Sequence, residues 1–348
     1  MAERIEEIAE KMVADGRGIL AADESTGTIK KRFDSIGVES TEDTRRAYRE
    51  MLFRTKDAMR ECISGVILFD ETLRQSAEDG TPFVELLREV DSIPGIKVDK
   101  GAKRHPGFDE ETVTEGLDAL PDRLAEYHER GARFAKWRGV IGISNDLPNW
   151  GNVRANAHAL ARYAAACQAA GIVPIVEPEV LMDGKPGDHS IERCEEVTGQ
   201  VIDTVFTELR EARINLEGMI LKPNMVIDGI ERRRLGKGAT VEEVAERTVR
   251  TLKTYVPAVV PGIAFLSGGQ SDVEATAHLN AMNAGHSTPF ALTFSYGRAL
   301  QAAALEAWAG KSENVEAASA AFAHRARMNR LAALGEWSEA QEGGREAA

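Results

Sequence analysis

Cysteine is scarce in this sequence: Cys62, Cys167 and Cys194 are the three in 348 residues. An odd, widely spaced set does not make a disulfide framework and lacks the close spacing of a zinc site, so a reducing compartment fits best. No run of about 18 consecutive apolar residues occurs, which excludes a membrane-spanning helix. Basic residues are in deficit, 43 Lys and Arg against 56 Asp and Glu, and no long basic run is present. The resulting net charge of −13 repels nucleic acid and anionic membranes. The seven histidines form no HxH or HExxH pair, so a metal centre is not expected; no cofactor is expected either. Residues 1–10 have neither the apolar core of a signal peptide nor the basic, acid-poor character of a transit peptide, and a cytoplasmic protein is expected. There is no low-complexity linker and no break in composition. One domain over residues 1–348 follows, with the polar, small-residue stretch 335–348 expected to be loose.

What is present is a recurring unit. Eight short apolar runs flanked by glycine or proline alternate with segments of helical period. They are 18–23 (GILAAD), 65–70 (GVILFD), 95–100 (GIKVDK), 133–139 (RFAKWRG), 173–180 (VPIVEPEV), 218–225 (GMILKPNM), 262–269 (GIAFLSGG) and 290–297 (FALTFSYG). Their starts lie 28 to 47 residues apart, room for a strand, a crossover helix and two loops each time. The pattern predicts an α/β protein, a TIM (β/α)8 barrel, with a doubly wound open sheet as the rival. Helices are expected over 149–170, 190–214, 298–309 and 313–334. Capping boxes are read at Thr240 with Glu243 and at Ser271 with Glu274, and helix stops at Gly171 and Gly310.

A charge inside a buried parallel strand is costly, so the places where charges occur are informative. Asp23 ends the first run; Lys97 and Asp99 lie in the third, Lys136 and Arg138 in the fourth, Glu177 and Glu179 in the fifth, and Lys222 in the sixth. Side chains alternate with period two, so each i, i+2 pair shares a face. A lone Lys or Glu in a strand is readily read as an internal ion pair. Six or more charges on five strands, all toward the carboxyl ends where barrel enzymes work, read instead as a site. Trp137 has the opposite parity and should pack outward under a helix; Cys167 and Met225 read as core.

Lys222, between Leu221 and Pro223, is stripped of water and shares the mouth with Lys136 and Arg138; both influences disfavour its ammonium form. A neutral amine is what attack on a carbonyl requires. Asp23, Glu177 and Glu179 supply acid-base capacity, while Lys97 and Arg138 offer contacts to phosphate or hydroxyl groups. Turns at Ser267-Gly268-Gly269 and Ser295-Tyr296-Gly297-Arg298 follow the last two runs, where barrels commonly hold a phosphate. A second anion site is read around Ser25, Thr28 and Arg32. Two phosphate sites imply a bisphosphate.

Taken together, GILAADESTG, GVILFDETL, GIKVDKG, FAKWRGV, GIVPIVEPE, LKPNMV, FLSGGQS and LTFSYGRALQ resemble the class I fructose-bisphosphate aldolases, from about residue 16 to residue 334. The resemblance implies reversible aldol cleavage of fructose 1,6-bisphosphate without metal, through an imine between Lys222 and dihydroxyacetone phosphate. It implies that Glu177 handles proton transfers, that Asp23 and Lys136 bind the sugar hydroxyls across the breaking bond, and that Glu179 keeps lysine and acid in place. By the same likeness Ser267, Gly268, Gly297 and Arg298 hold the ketose-side phosphate, and Ser25, Lys97 and Arg138 border the other. Thr28 stands where the family has a second serine, and Arg32 matches. Animal members carry a tyrosine on a mobile tail that assists proton transfer; here no tyrosine follows Tyr296. A homotetramer acting on small sugar phosphates is the implied assembly.

Overall fold

The computed structural model describes residues 3–184 and 187–343. The strands are β1 (Gly18–Ala22), β2 (Ile63–Leu68), β3 (Ile93–Lys97), β4 (Ala102–Arg104), β5 (Thr112–Thr114), β6 (Phe134–Ile141), β7 (Val173–Val180), β8 (Ile220–Leu221), β9 (Gly262–Phe265) and β10 (Ala291–Tyr296). Among the described residues, eight of them close a parallel barrel in the order β1-β10-β9-β8-β7-β6-β3-β2. Closure excludes the open-sheet alternative. All eight apolar runs contribute a barrel strand, and helices Trp150–Ala169, Ile191–Glu211, Arg298–Trp308 and Val315–Leu334 stand where helical period predicted them.

The period-two alternation sorts the strand side chains into two cores. Outward residues such as Leu68, Trp137, Val176 and Leu221 pack under the helices. Trp137 is fully buried against Tyr163 of helix Trp150–Ala169, with ring centroids 5.7 Å apart. Inward residues Ile19, Ala21, Ile67, Phe134, Val173, Ile175, Ile220 and Ala264 fill the lower barrel, and Ile8, Ala9, Met12 and Val13 of helix Ile5–Val13 close its amino end. The Phe134 ring needs the space left by two glycines: a Cβ on Gly95 would lie 2.2 Å from it and one on Gly65 2.9 Å.

Three local features differ from expectation, each for a physical reason. β8 has ladder geometry over Ile220–Leu221 alone, because Pro223 has no N–H to donate. The following residue still ties the strands together, through Val180 N–H to Asn224 Oδ1 at 3.0 Å. The antiparallel pair β4–β5 was unforeseen; β4 is exposed throughout and so carries no apolar alternation. The Thr240–Glu243 box is one-sided, Glu243 N–H donating to Thr240 Oγ1 at 3.2 Å, whereas Ser271 and Glu274 satisfy each other's amides in both directions.

The stretch from Gly335, loose by composition, is pinned as far as residue 343. Gly335 ends its helix at φ +72°. Trp337 then donates from its backbone to Asn280 Oδ1 and from its indole to Glu342 Oε1, both at 2.9 Å, and Glu342 pairs with the buried Arg325. Residues 344–348 lie outside the described residues. No helix among those described is long and apolar enough to cross a membrane.

Candidate active site

On β1, β6, β7 and β8 the inward-facing series begins apolar at the bottom of the barrel and ends charged at the top. Ile19 and Ala21 lead to Asp23, Phe134 to Lys136 and Arg138, Val173 and Ile175 to Glu177 and Glu179, and Ile220 to Lys222. Strand register then brings the charged ends level. Lys97 pairs with Lys136 across β3 and β6, Arg138 with Glu177 across β6 and β7, and Lys222 N–H donates to Val176 O at 2.8 Å across β7 and β8. Lys222, Lys136, Glu177 and Glu179 are all buried, and Asp23 nearly so.

Their contacts form a chain of four side chains, Asp23, Lys136, Glu177 and Lys222, with Arg138 and Glu179 as a separate pair. Glu177 Oε1 lies 3.1 Å from Lys222 Nζ, and its Oε2 lies 3.3 Å from Lys136 Nζ. On its other side Lys136 Nζ meets Asp23 Oδ2 at 2.7 Å. Arg138 Nε pairs with Glu179, whose Oε1 lies 3.0 Å from where a Cβ on Gly268 would stand. Burial alone would raise the Asp23 carboxyl, but Lys136, then Lys222 and Lys97, outweigh it and hold Asp23 well below the usual carboxylate range. Burial likewise opposes ionisation of Glu177, and Lys136, Lys222 and Arg138 bring it down. Lys136 moves the other way: burial disfavours its charge, yet Asp23, Glu177 and Asp99 push it up. Lys136 thus lies between two carboxylates that favour its charged form. Lys222 shares its counter-ion with that cation.

The expected phosphate contacts fall into two groups. Ser25 and Lys97 line a cavity of about 620 Å³ beside β3. Ser25 also caps helix Thr26–Asp34: its Oγ accepts Thr28 N–H at 3.4 Å and lies 3.1 Å from the Thr28 hydroxyl. Arg32 does not join Ser25 and Lys97. It pairs with Glu24, its Nη2 lies 3.7 Å from where a Cβ on Gly297 would stand, and it lines a smaller cavity of about 190 Å³ with Arg298. Ser267 is buried in the turn after β9, Gly268 lies beside Glu179, and Arg298 opens the helix after β10 with its side chain exposed.

Sequence reasoning passed over three groups. Glu24 has the opposite parity to Asp23 and is buried under the helices, where it pairs with Arg49 at 2.8 Å and accepts from Gln301 Nε2 at 3.0 Å. Ser295 follows inward-facing Ala291 and Thr293 by period two, and its hydroxyl is buried without a hydrogen bond among the described residues. Period-two counting from Ala291 would have found it. Asn224 ties β7 to the segment after Lys222, as described above. Of the histidines, His189 and His278 are buried. Among the described residues no group of three or more His, Cys, Asp or Glu side chains could hold a metal ion.

Comparison with known proteins places this geometry in a family. The family model for fructose-bisphosphate aldolase class-I matches residues 4–348. The chain is 54% identical over 336 residues to the probable fructose-bisphosphate aldolase class 1 of Xanthomonas campestris pv. campestris, covering 96% of this chain and 98% of that protein. It is 52% identical over 321 residues to the cytosolic fructose-bisphosphate aldolase 6 of Arabidopsis thaliana, covering 92% and 87%. Its fold superposes with a TM-score of 0.91 on fructose-bisphosphate aldolase from Plasmodium falciparum, solved with TRAP and a small-molecule inhibitor; the two are 50% identical over 96% of this chain and 95% of that one. With a barrel that carries its charges on the inner face of the carboxyl ends and full-length kinship at this level, the chain belongs to the class I fructose-bisphosphate aldolase family.

Proposed function

We propose that the chain catalyses the reversible cleavage of fructose 1,6-bisphosphate to dihydroxyacetone phosphate and glyceraldehyde 3-phosphate, with Lys222 forming a Schiff base to the ketone. The observation that carries this reading is a buried lysine at the mouth of the barrel, 3.1 Å from a carboxylate that it shares with a second lysine. Glu177 is placed to take a proton from the attacking amine and to return one to the departing hydroxyl, so that water leaves and a protonated imine remains. That imine draws the electrons of the adjoining carbon-carbon bond, the role a Lewis-acid metal plays elsewhere. Asp23 and Lys136 hold the hydroxyls flanking the bond, and Glu179 steadies Arg138 at the rim.

Ser267, Gly268, Gly297 and Arg298 bind the ketose-side phosphate, and the cavity shared by Arg32 and Arg298 supports adding Arg32 to that group. Ser25, Thr28, Lys97 and Arg138 border the other phosphate. Family kinship supports a homotetramer, and the cytosolic Arabidopsis relative supports a cytoplasmic location. The test of mechanism is chemical trapping. Borohydride with dihydroxyacetone phosphate should fix one adduct on Lys222, Lys222→Met should abolish it, and aldol cleavage should persist in EDTA. An adduct on another lysine, or loss of activity to the chelator, refutes the reading.

A further inference from the structure

Asp99 has a buried oxygen, Oδ2, that meets no donor among the described residues. Its side chain is 3% exposed; Oδ1 accepts the Gly101 N–H at 3.1 Å and lies 3.6 Å from Lys97 Nζ, while Oδ2 has no hydrogen-bond partner among the described residues. A desolvated carboxylate oxygen without a donor is destabilising, and native structures keep such groups where they serve something. The turn that fixes it is built for the purpose: Gly101 has φ +89°, a backbone conformation that side chains other than glycine rarely adopt. Two residues before Asp99, Lys97 ends β3 with a partly exposed side chain that lines the 620 Å³ cavity with Ser25. Lysine is a mobile point charge on a four-carbon stem, and ordering it costs rotamer entropy. A fixed carboxylate two residues along the same strand line reduces that cost before any ligand arrives.

We propose that Asp99 is a positioning residue that holds the Lys97 ammonium over this cavity, where it receives the phosphate of the aldehyde half of the substrate. This rests on the reading of Lys97 as a contact to that phosphate. Asp99 touches none of the reacting carbons, and Lys136 keeps its nearer partners Asp23 and Glu177 without it, so its loss should appear mainly in binding of the distal phosphate.

The test compares Asp99→Asn, Lys97→Met and the double variant, each assayed with fructose 1,6-bisphosphate and with fructose 1-phosphate, which lacks the distal phosphate. Asp99→Asn keeps the shape and the Gly101 acceptor. It should raise KM for the bisphosphate by about tenfold, through loss of the ion pair that orients Lys97. With that substrate kcat should stay within about threefold, and kcat/KM for the monophosphate should move far less than for the bisphosphate. On a Lys97→Met background it should add nothing. Equal losses on both substrates, additive losses in the double variant, or a lower Tm with unchanged substrate discrimination would overturn the proposal. Should Lys97→Met itself fail to distinguish the two substrates, the phosphate assignment of Lys97 falls and this proposal with it. Borohydride trapping at Lys222 in Asp99→Asn then reports separately whether imine chemistry stands.

Discussion

Glu177 faces two lysines at once, at 3.1 Å and 3.3 Å, and its replacement therefore has a definite signature. Glu177→Gln keeps the shape but removes the proton carrier, so kcat should fall by roughly 10²–10⁴-fold, while borohydride still labels Lys222, only more slowly. A kcat within about twofold of the parent would show that another group moves the protons. The same cluster sets an acid limit. Asp23 and Glu177 are held below their ordinary range, so the stability that they contribute is complete above about pH 4 and drains away as pH falls toward their folded values. Lys136 is raised, so its contribution is complete below about pH 10 and is lost only as pH climbs through its folded value. Thermal melts should show an acid limb below about pH 4 that is shallower in Lys136→Met. Identical limbs would mean that the acid sensitivity lies elsewhere.

At the scale of elements, β3 and β6 depend on a side chain that is absent. Gly95→Ala would drive a methyl into the Phe134 ring, and overpacking of this kind costs ~1–3 kcal/mol. Urea unfolding should show a lower midpoint with an unchanged slope, and an unchanged midpoint would mean that the ring can move aside. The strands were legible because period-two alternation, β-branched residues and bordering glycines all agree along each run. The charged inner face was legible for the same reason, since Asp23, Lys136, Glu177 and Lys222 continue apolar series. Arg32 was grouped with Ser25 by closeness in sequence, but Glu24 turns it toward Gly297, and a buried partner of opposite parity leaves no periodic trace. β4 escaped notice because an exposed strand has no apolar side to announce it, and the segment from Gly335 because a single tryptophan and a single glutamate do the docking.

Over the whole molecule, the proposed assembly is a homotetramer. Light scattering should give four times the chain mass, and a monomer at assay concentration would remove the homotetramer from the reading. The inner core and the site are two storeys of one cylinder: helix Ile5–Val13 and the Phe134 ring seal the floor, so reactants have the upper opening as their way in. The shared carboxylate between Lys136 and Lys222 has a consequence for the chemistry as a whole. The iminium that activates the sugar in the proposed reaction forms on the Lys222 nitrogen, 3.1 Å from that carboxylate. The counter-ion for the cationic stage is thus fixed by the fold beside the atom where positive charge develops, and it needs no rearrangement to meet that charge.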